Sequence, residues 1–253
     1  MKTRHLFALI LAGTCLAPTV AATQERSVRV RYDAYYLGLP IGKAEFDTRL
    51  NKAGYAISGS FASAGLVRIF DQTNGRISIN GRFAGSEIRP NSYDLKYSSG
   101  KKQKRTTIAF DGSKVSKTTN VPELKKRKDK VPLKQDHLTG VADPISASLI
   151  NTDDAASVCR QTLKVYDGEM RVDLKLSPAP RSESFKQSAV TCRGRFVPLS
   201  GHRPNHSSIK FLRDKAVIRI GFNPVEGTSL YSPSEAIVGT KIGNVHVKAR
   251  RIQ

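Results

Sequence analysis

The 253-residue chain lacks the short motifs that mark the common enzyme classes. It has no Gly-x-Ser-x-Gly elbow, no phosphate-cradling glycine loop and no dinucleotide fingerprint. Histidine is scarce, with five residues: His5, His137, His202, His206 and His246. His202 and His206 stand four apart, but Pro204 between them rules out a helical zinc pair. Two Ser-x-x-Lys spacings, Ser98 to Lys101 and Ser207 to Lys210, fall at expected turn or strand positions, not on the helix such acyl enzymes use. Paired carboxylates can come from any two strands, so spacing leaves glycoside chemistry open. The expectation is a non-enzymatic protein with no catalytic residues, metal or cofactor. A hydrolase of envelope polymers is the remaining catalytic reading.

Acidic residues are also in short supply. Asp and Glu total 21 against 42 Lys and Arg, a formal charge of +21. Such a surplus favours anionic surfaces: acidic lipid, lipopolysaccharide or nucleic acid. Beyond residue 17 no apolar run approaches the roughly 18 residues a membrane helix needs, so the mature protein is expected to be soluble. The one early run reads differently. Lys2, Arg4 and His5 precede the apolar stretch Leu6 to Ala17, and Val20-Ala21-Ala22 supplies small residues for cleavage. That is the pattern of a secretory signal peptide over residues 1–22. Thr14 stands before Cys15, where a lipoprotein cleavage box wants Gly, Ala or Ser, so no lipid anchor is expected. Losing Lys2 and Arg4 lowers the charge from +21 to +19, and export directs that charge away from nucleic acid.

Cysteine is rarer still, with three residues. Removing Cys15 with the signal leaves Cys159 and Cys192, and an even pair in an exported chain predicts a disulfide. The alternative is a catalytic thiol at Cys192, which needs a pKa-lowering neighbour and no oxidised partner.

Strand patterns fill most of what remains. Val28, Val30, Tyr32, Ala34 and Tyr36 alternate with polar neighbours, as do Ala44, Phe46, Thr48 and Leu50 after the turn at 37–42. Tyr55, Ile57, Gly59 and Phe61 continue the pattern, followed by Ile77 with Ile79 and by Tyr93, Leu95 and Tyr97. Asp111-Gly112 and Asp167-Gly168 are hairpin signals. Later strands are expected over 209–212, 216–222 and 237–250, the last bent at Gly239 and Gly243. One short helix is expected over about 143–151, with Asp143 as its cap and Pro144 at its first position. Residues 120–137 read as a basic excursion. The expected fold is mainly β: a long curved antiparallel sheet wrapped into a barrel-like or open-barrel form, in a single domain over 23–253.

Two groups of candidate functional residues stand out. Lys101, Lys102, Lys104 and Arg105 form one cationic tip, and Lys125, Lys126, Arg127, Lys128 and Lys130 form another. They read either as contacts to an anionic surface or as solubilising tips. The inward aromatics Tyr32, Tyr36, Phe46, Tyr55, Phe61, Tyr93 and Phe110 line an apolar cavity or fill a solid core.

Several of these residues also carry a resemblance. Tyr32 with Gly38, Ile41-Gly42 and Ala44, Gly54-Tyr55, Gly75, Pro90 with Tyr93, Asp143-Pro144-Ile145-Ser146-Ala147, Cys159, Tyr166-Asp167-Gly168 and Cys192 resemble the exported bacterial domain-of-unknown-function family 3108. The resemblance covers nearly the whole chain after the signal, and its most specific part is the Asp-Pro-x-Ser-Ala start, followed by a Cys and a Tyr-Asp-Gly hairpin. It implies a curved-sheet periplasmic protein of Gram-negative bacteria, loosely similar to lipoprotein carriers, with no established activity. The leading expectation is a periplasmic protein that binds an apolar or amphipathic envelope component and supports envelope integrity. The alternative is a structural protein docking a protein partner at the envelope.

Overall fold

Alternating apolar and polar residues build seven consecutive antiparallel strands. They are β1 (Arg26–Tyr36), β2 (Leu39–Leu50), β3 (Gly54–Ser63), β4 (Thr73–Ala84), β5 (Glu87–Ser99), β6 (Lys102–Asp111) and β7 (Lys114–Val121). The structure, a computed structural model, describes residues 25–65, 68 and 72–251; the expected signal segment 1–22 lies outside them. After β7 the chain runs irregularly to the two-residue β8 (Ile150–Asn151) and the single turn α1 (Ala155–Val158). Then come β9 (Thr162–Tyr166), β10 (Arg171–Pro178) and β11 (Val190–Ser200). The helix α2 (Ser207–Asp214) precedes β12 (Ile218–Pro224), β13 (Leu230–Thr240) and β14 (Gly243–Arg251).

All 14 strands belong to one sheet, ordered β7-β6-β5-β4-β3-β2-β1-β14-β13-β12-β11-β10-β9, with β8 on the flank of β13. The first and last strands therefore pair in the middle, Tyr32 opposite Ala249 and Ala34 opposite Val247. The sheet is open, because β7 and β9 do not pair with each other. Residues 139–142 occupy the gap. Thr139 sits opposite Lys114 of β7 and Ala142 opposite Val165 of β9. The Gly140 amide donates to the Ser113 carbonyl at 2.7 Å, and the Tyr166 amide to the Ala142 carbonyl at 2.9 Å. Part of each edge is thereby paired within the chain.

Close backbone approach lets the sheet curve. Phe46 of β2 faces Gly59 of β3, and Phe61 of β3 faces Gly75 of β4, as direct register partners. A Cβ on Gly59 would lie 2.5 Å from Phe46 Cδ1, and one on Gly75 would lie 2.2 Å from Phe61 Cζ. Each ring thus lies flat on its neighbouring strand. Two apolar clusters fill the concave side. One gathers Tyr55, Ile57, Ile79, Tyr93, Ile108 and Phe110 under β3 to β6, and the other gathers Val158, Leu163, Leu176 and Phe222 around the disulfide.

Three local expectations are corrected. The two-turn helix at 143–151 is a 3-10 turn, Ser146–Ser148. Leu149 is extended at φ −81°, ψ 135°, because Ile150 and Asn151 pair with Tyr231 and Leu230 of β13. Sheet pairing has taken the second half of that helix. Residues 209–212 are helical within α2, with Ile209, Phe211 and Leu212 half-buried where the helix packs on β11 and β13. The expected bent strand 237–250 is the β13–β14 hairpin, turning at Lys241-Ile242 and entering β14 through Gly243 at φ 134°.

Candidate functional site

The segment 139–151, here called the strap, crosses the concave side from the sheet's open gap to β13. Asp143 anchors it. Its Oδ1 accepts the amides of Ile145 at 3.0 Å and Ser146 at 2.9 Å, which starts the 3-10 turn. The Tyr55 hydroxyl on β3 donates to Ser146 Oγ at 2.7 Å and ties the turn to the sheet. Asp143 and Ser146 are both fully buried, and Asp143 Oδ2 has no hydrogen-bond partner. Burial pushes the Asp143 carboxyl above the usual carboxylate range and outweighs the hydrogen bonds from Ser146 and Ile145 that favour its charged form. Burial likewise raises the phenols of Tyr55 and Tyr93, with the Asp143 charge adding to both.

Beneath the turn lies a cavity of about 320 Å³. Its walls are the inward residues of the middle strands: Val28, Val30 and Tyr32 of β1, Phe46, Thr48 and Leu50 of β2, Leu230 and Pro233 of β13, and Val247 of β14. Ile145 and Leu149 of the strap form its roof. Tyr32 and Phe46 meet edge to face at 5.8 Å between centroids. Two of the cavity's four hydroxyls are spent on the protein itself: Tyr32 donates to the Pro233 carbonyl at 2.8 Å and Ser148 to the Ile145 carbonyl at 2.7 Å. Burial pushes the Tyr32 phenol up to about 12. Thr48 and Ser232 add the other two hydroxyls to a lining that is otherwise mostly apolar.

A second cleft of about 460 Å³ opens on the other side of the strap, between Ile88, Arg89 and Pro90 of β5 and Leu163 with Lys164 of β9. Its rim is charged, with Arg89 held by Glu87 at 2.7 Å.

The inward aromatics divide by position. Tyr32 and Phe46 line the cavity, whereas Tyr55, Tyr93 and Phe110 are buried core. Phe61 packs near Tyr97, 6.5 Å between centroids, and the Tyr36 hydroxyl donates to the Ile242 carbonyl at the end of the sheet. Strand alternation indicated Val28 and Val30 on the same face as Tyr32. The strap's Ile145 and Leu149 had no such signal, because only the tertiary crossing brings them there.

Lys101, Lys102 and Lys104 are exposed, Lys104 with its Nζ 5.6 Å from the Tyr97 ring centre. Arg105 is held by both Asp94 oxygens at 2.9 and 2.7 Å, which keeps the Asp94 carboxyl below its usual range. Lys125, Lys126, Arg127 and Lys128 are exposed, and Lys130 pairs with Glu169. Val121 lies opposite Arg105 across the β6–β7 ladder, so both cationic tips leave the sheet at the same end.

Two Ser-containing pairs with catalytic spacing occur among the described residues. Ser200 Oγ lies 3.0 Å from His137 Nδ1, but Ser200 is fully buried and open to no substrate. Contrary to expectation, Ser207 and Lys210 do lie on a helix, α2. Ser207 Oγ accepts from Lys241 Nζ at 3.1 Å, and both side chains are exposed. Among the described residues no group of three or more His, Cys, Asp or Glu is placed to hold a metal. Cys159 and Cys192 form the predicted disulfide, with Cα atoms 5.2 Å apart, which removes the thiol nucleophile.

A family model described as a protein of unknown function, DUF3108, matches residues 31–249. No curated protein and no solved structure matches the chain.

Proposed function

We propose, for a chain that belongs to the DUF3108 family, that it is a non-enzymatic binder of an apolar or amphipathic envelope component in the Gram-negative periplasm. The cavity under the strap carries this reading. Its volume of about 320 Å³ falls at the lower end of ligand sites, and its lining is mostly apolar, with the Tyr32 and Ser148 hydroxyls bonded to backbone carbonyls. A narrow slot of that kind suits one flexible hydrocarbon chain, such as an acyl chain of a lipid or lipoprotein.

The compartment is read from the signal-peptide pattern at 1–22 and supported by the disulfide, which persists in oxidising surroundings. The basic surface suits the anionic headgroup of such a ligand. Holding and shielding an acyl chain would support envelope integrity without any covalent step. Mass spectrometry of the protein purified gently from its native envelope is the test. A stoichiometric lipid or lipid-modified species should co-purify; protein that is folded and free of lipid would count against the carrier reading.

A further inference from the structure

Strand connections leave the sheet at two ends, and one end is unlike the other. The β1–β2, β5–β6 and β13–β14 turns emerge together, where β7 also finishes and β12 begins. Most of the exposed large apolar side chains among the described residues gather there: Leu37 and Leu39 beside the β1–β2 turn, Ile242 in the β13–β14 turn, Val121 ending β7 and Val217 preceding β12. Leu37 and Ile242 are each 77% exposed. Their turns are neighbours, since β1 pairs with β14 as far as Tyr36 opposite Val245, and the Tyr36 hydroxyl bonds the Ile242 carbonyl. Leu37 also holds φ 50°, a left-handed conformation costly for a bulky apolar residue.

Cations surround these tips. Lys101, Lys102, Lys125, Lys126, Lys215 and Lys241 are exposed at this end, while Asp129, Glu169 and Asp214 are engaged by Arg203, Lys130 and Arg213. Separate apolar tips ringed by flexible lysines suit a fluid surface better than a protein partner, because lysine is depleted from the core of protein interfaces.

We infer that this end of the sheet is a shallow insertion edge for an anionic bilayer. Leu37, Leu39 and Ile242 enter the boundary between headgroups and acyl chains, and the lysines meet the lipid phosphates. The edge lies apart from the cavity, so bilayer docking and cargo binding can each fail alone.

The test is flotation of the purified exported protein with vesicles of phosphatidylcholine and phosphatidylglycerol in a two-to-one ratio, against phosphatidylcholine alone. Wild type should float with the mixed vesicles and release as salt rises. Combining Leu37→Asn, Leu39→Ser and Ile242→Asn should weaken binding by about tenfold or more. Lys101→Gln with Lys102→Gln should weaken it by about fivefold for each cation. All five positions are exposed, so unfolding midpoints should stay at the wild-type value and misfolding cannot mimic the loss. Wild type that fails to float, or variants that float equally well, would overturn the inference. So would a crosslinked protein complex that the apolar substitutions abolish in the absence of vesicle binding.

Discussion

Asp143 concentrates the chemistry of the strap in one side chain. It caps the 3-10 turn with one oxygen and buries the other without a partner. Its carboxyl titrates above its usual value because burial disfavours the charge. The group therefore binds its proton more tightly in the folded state than in the unfolded chain. Its contribution is present at low pH and is lost as pH rises from the ordinary value of 3.8 through the raised one. Asparagine keeps the capping oxygen and removes the ionisation. Asp143→Asn should accordingly flatten the stability curve relative to wild type as pH rises above the ordinary carboxylate value of 3.8, measured by urea unfolding. Parallel curves for the two proteins would refute this. Tyr55→Phe tests the same anchor from the other side. Losing the bond to buried Ser146 should cost about 1–2 kcal/mol, read as a lower urea midpoint at unchanged m.

Among the elements, the strands were legible and the strap was not. Period-two alternation marked β1 to β3, and Asp111-Gly112 and Asp167-Gly168 marked the β6–β7 and β9–β10 hairpins. These signals are local, which is why they could be read from the chain. The helix expected at 143–151 failed because Ile150 and Asn151 find a long-range partner in β13, which local propensity does not contain. Residues 209–212 misled for a different reason: Ile209, Phe211 and Leu212 fit a strand or a helix face equally well in so short a window. Of the cavity, the walls were half visible and the roof was invisible. The disulfide is the element-level staple, joining the C-cap of α1 to β11 across 33 residues. Replacing both cysteines, Cys159→Ala with Cys192→Ala, should cost about 3–4 kcal/mol by loop entropy, measured by denaturant unfolding. A loss below about 1 kcal/mol would show that the packing around it already fixes the loop. Gly75→Val should also destabilise, by about 1–3 kcal/mol, because its Cβ would enter the Phe61 ring.

At the scale of the whole molecule, one open sheet wraps around a strap that fills its gap and roofs its centre. The first and last strands, β1 and β14, meet in the middle of the sheet and form part of the wall of the cavity, so its shape depends on both of them. The two basic tips and most of the exposed large apolar side chains among the described residues lie at one end, and the cavity lies under the middle. Whether this cavity takes an apolar chain is decided by calorimetric titration of delipidated protein with a medium-chain fatty acid, with Val30→Phe as the comparison. Val30 faces the cavity beside Phe46, and the larger ring would occupy the space a ligand needs. Wild type should bind with a negative heat-capacity change, and Val30→Phe should bind at least about tenfold more weakly while remaining folded. Equal affinity in the two proteins, or no uptake by folded wild type, would contradict the account.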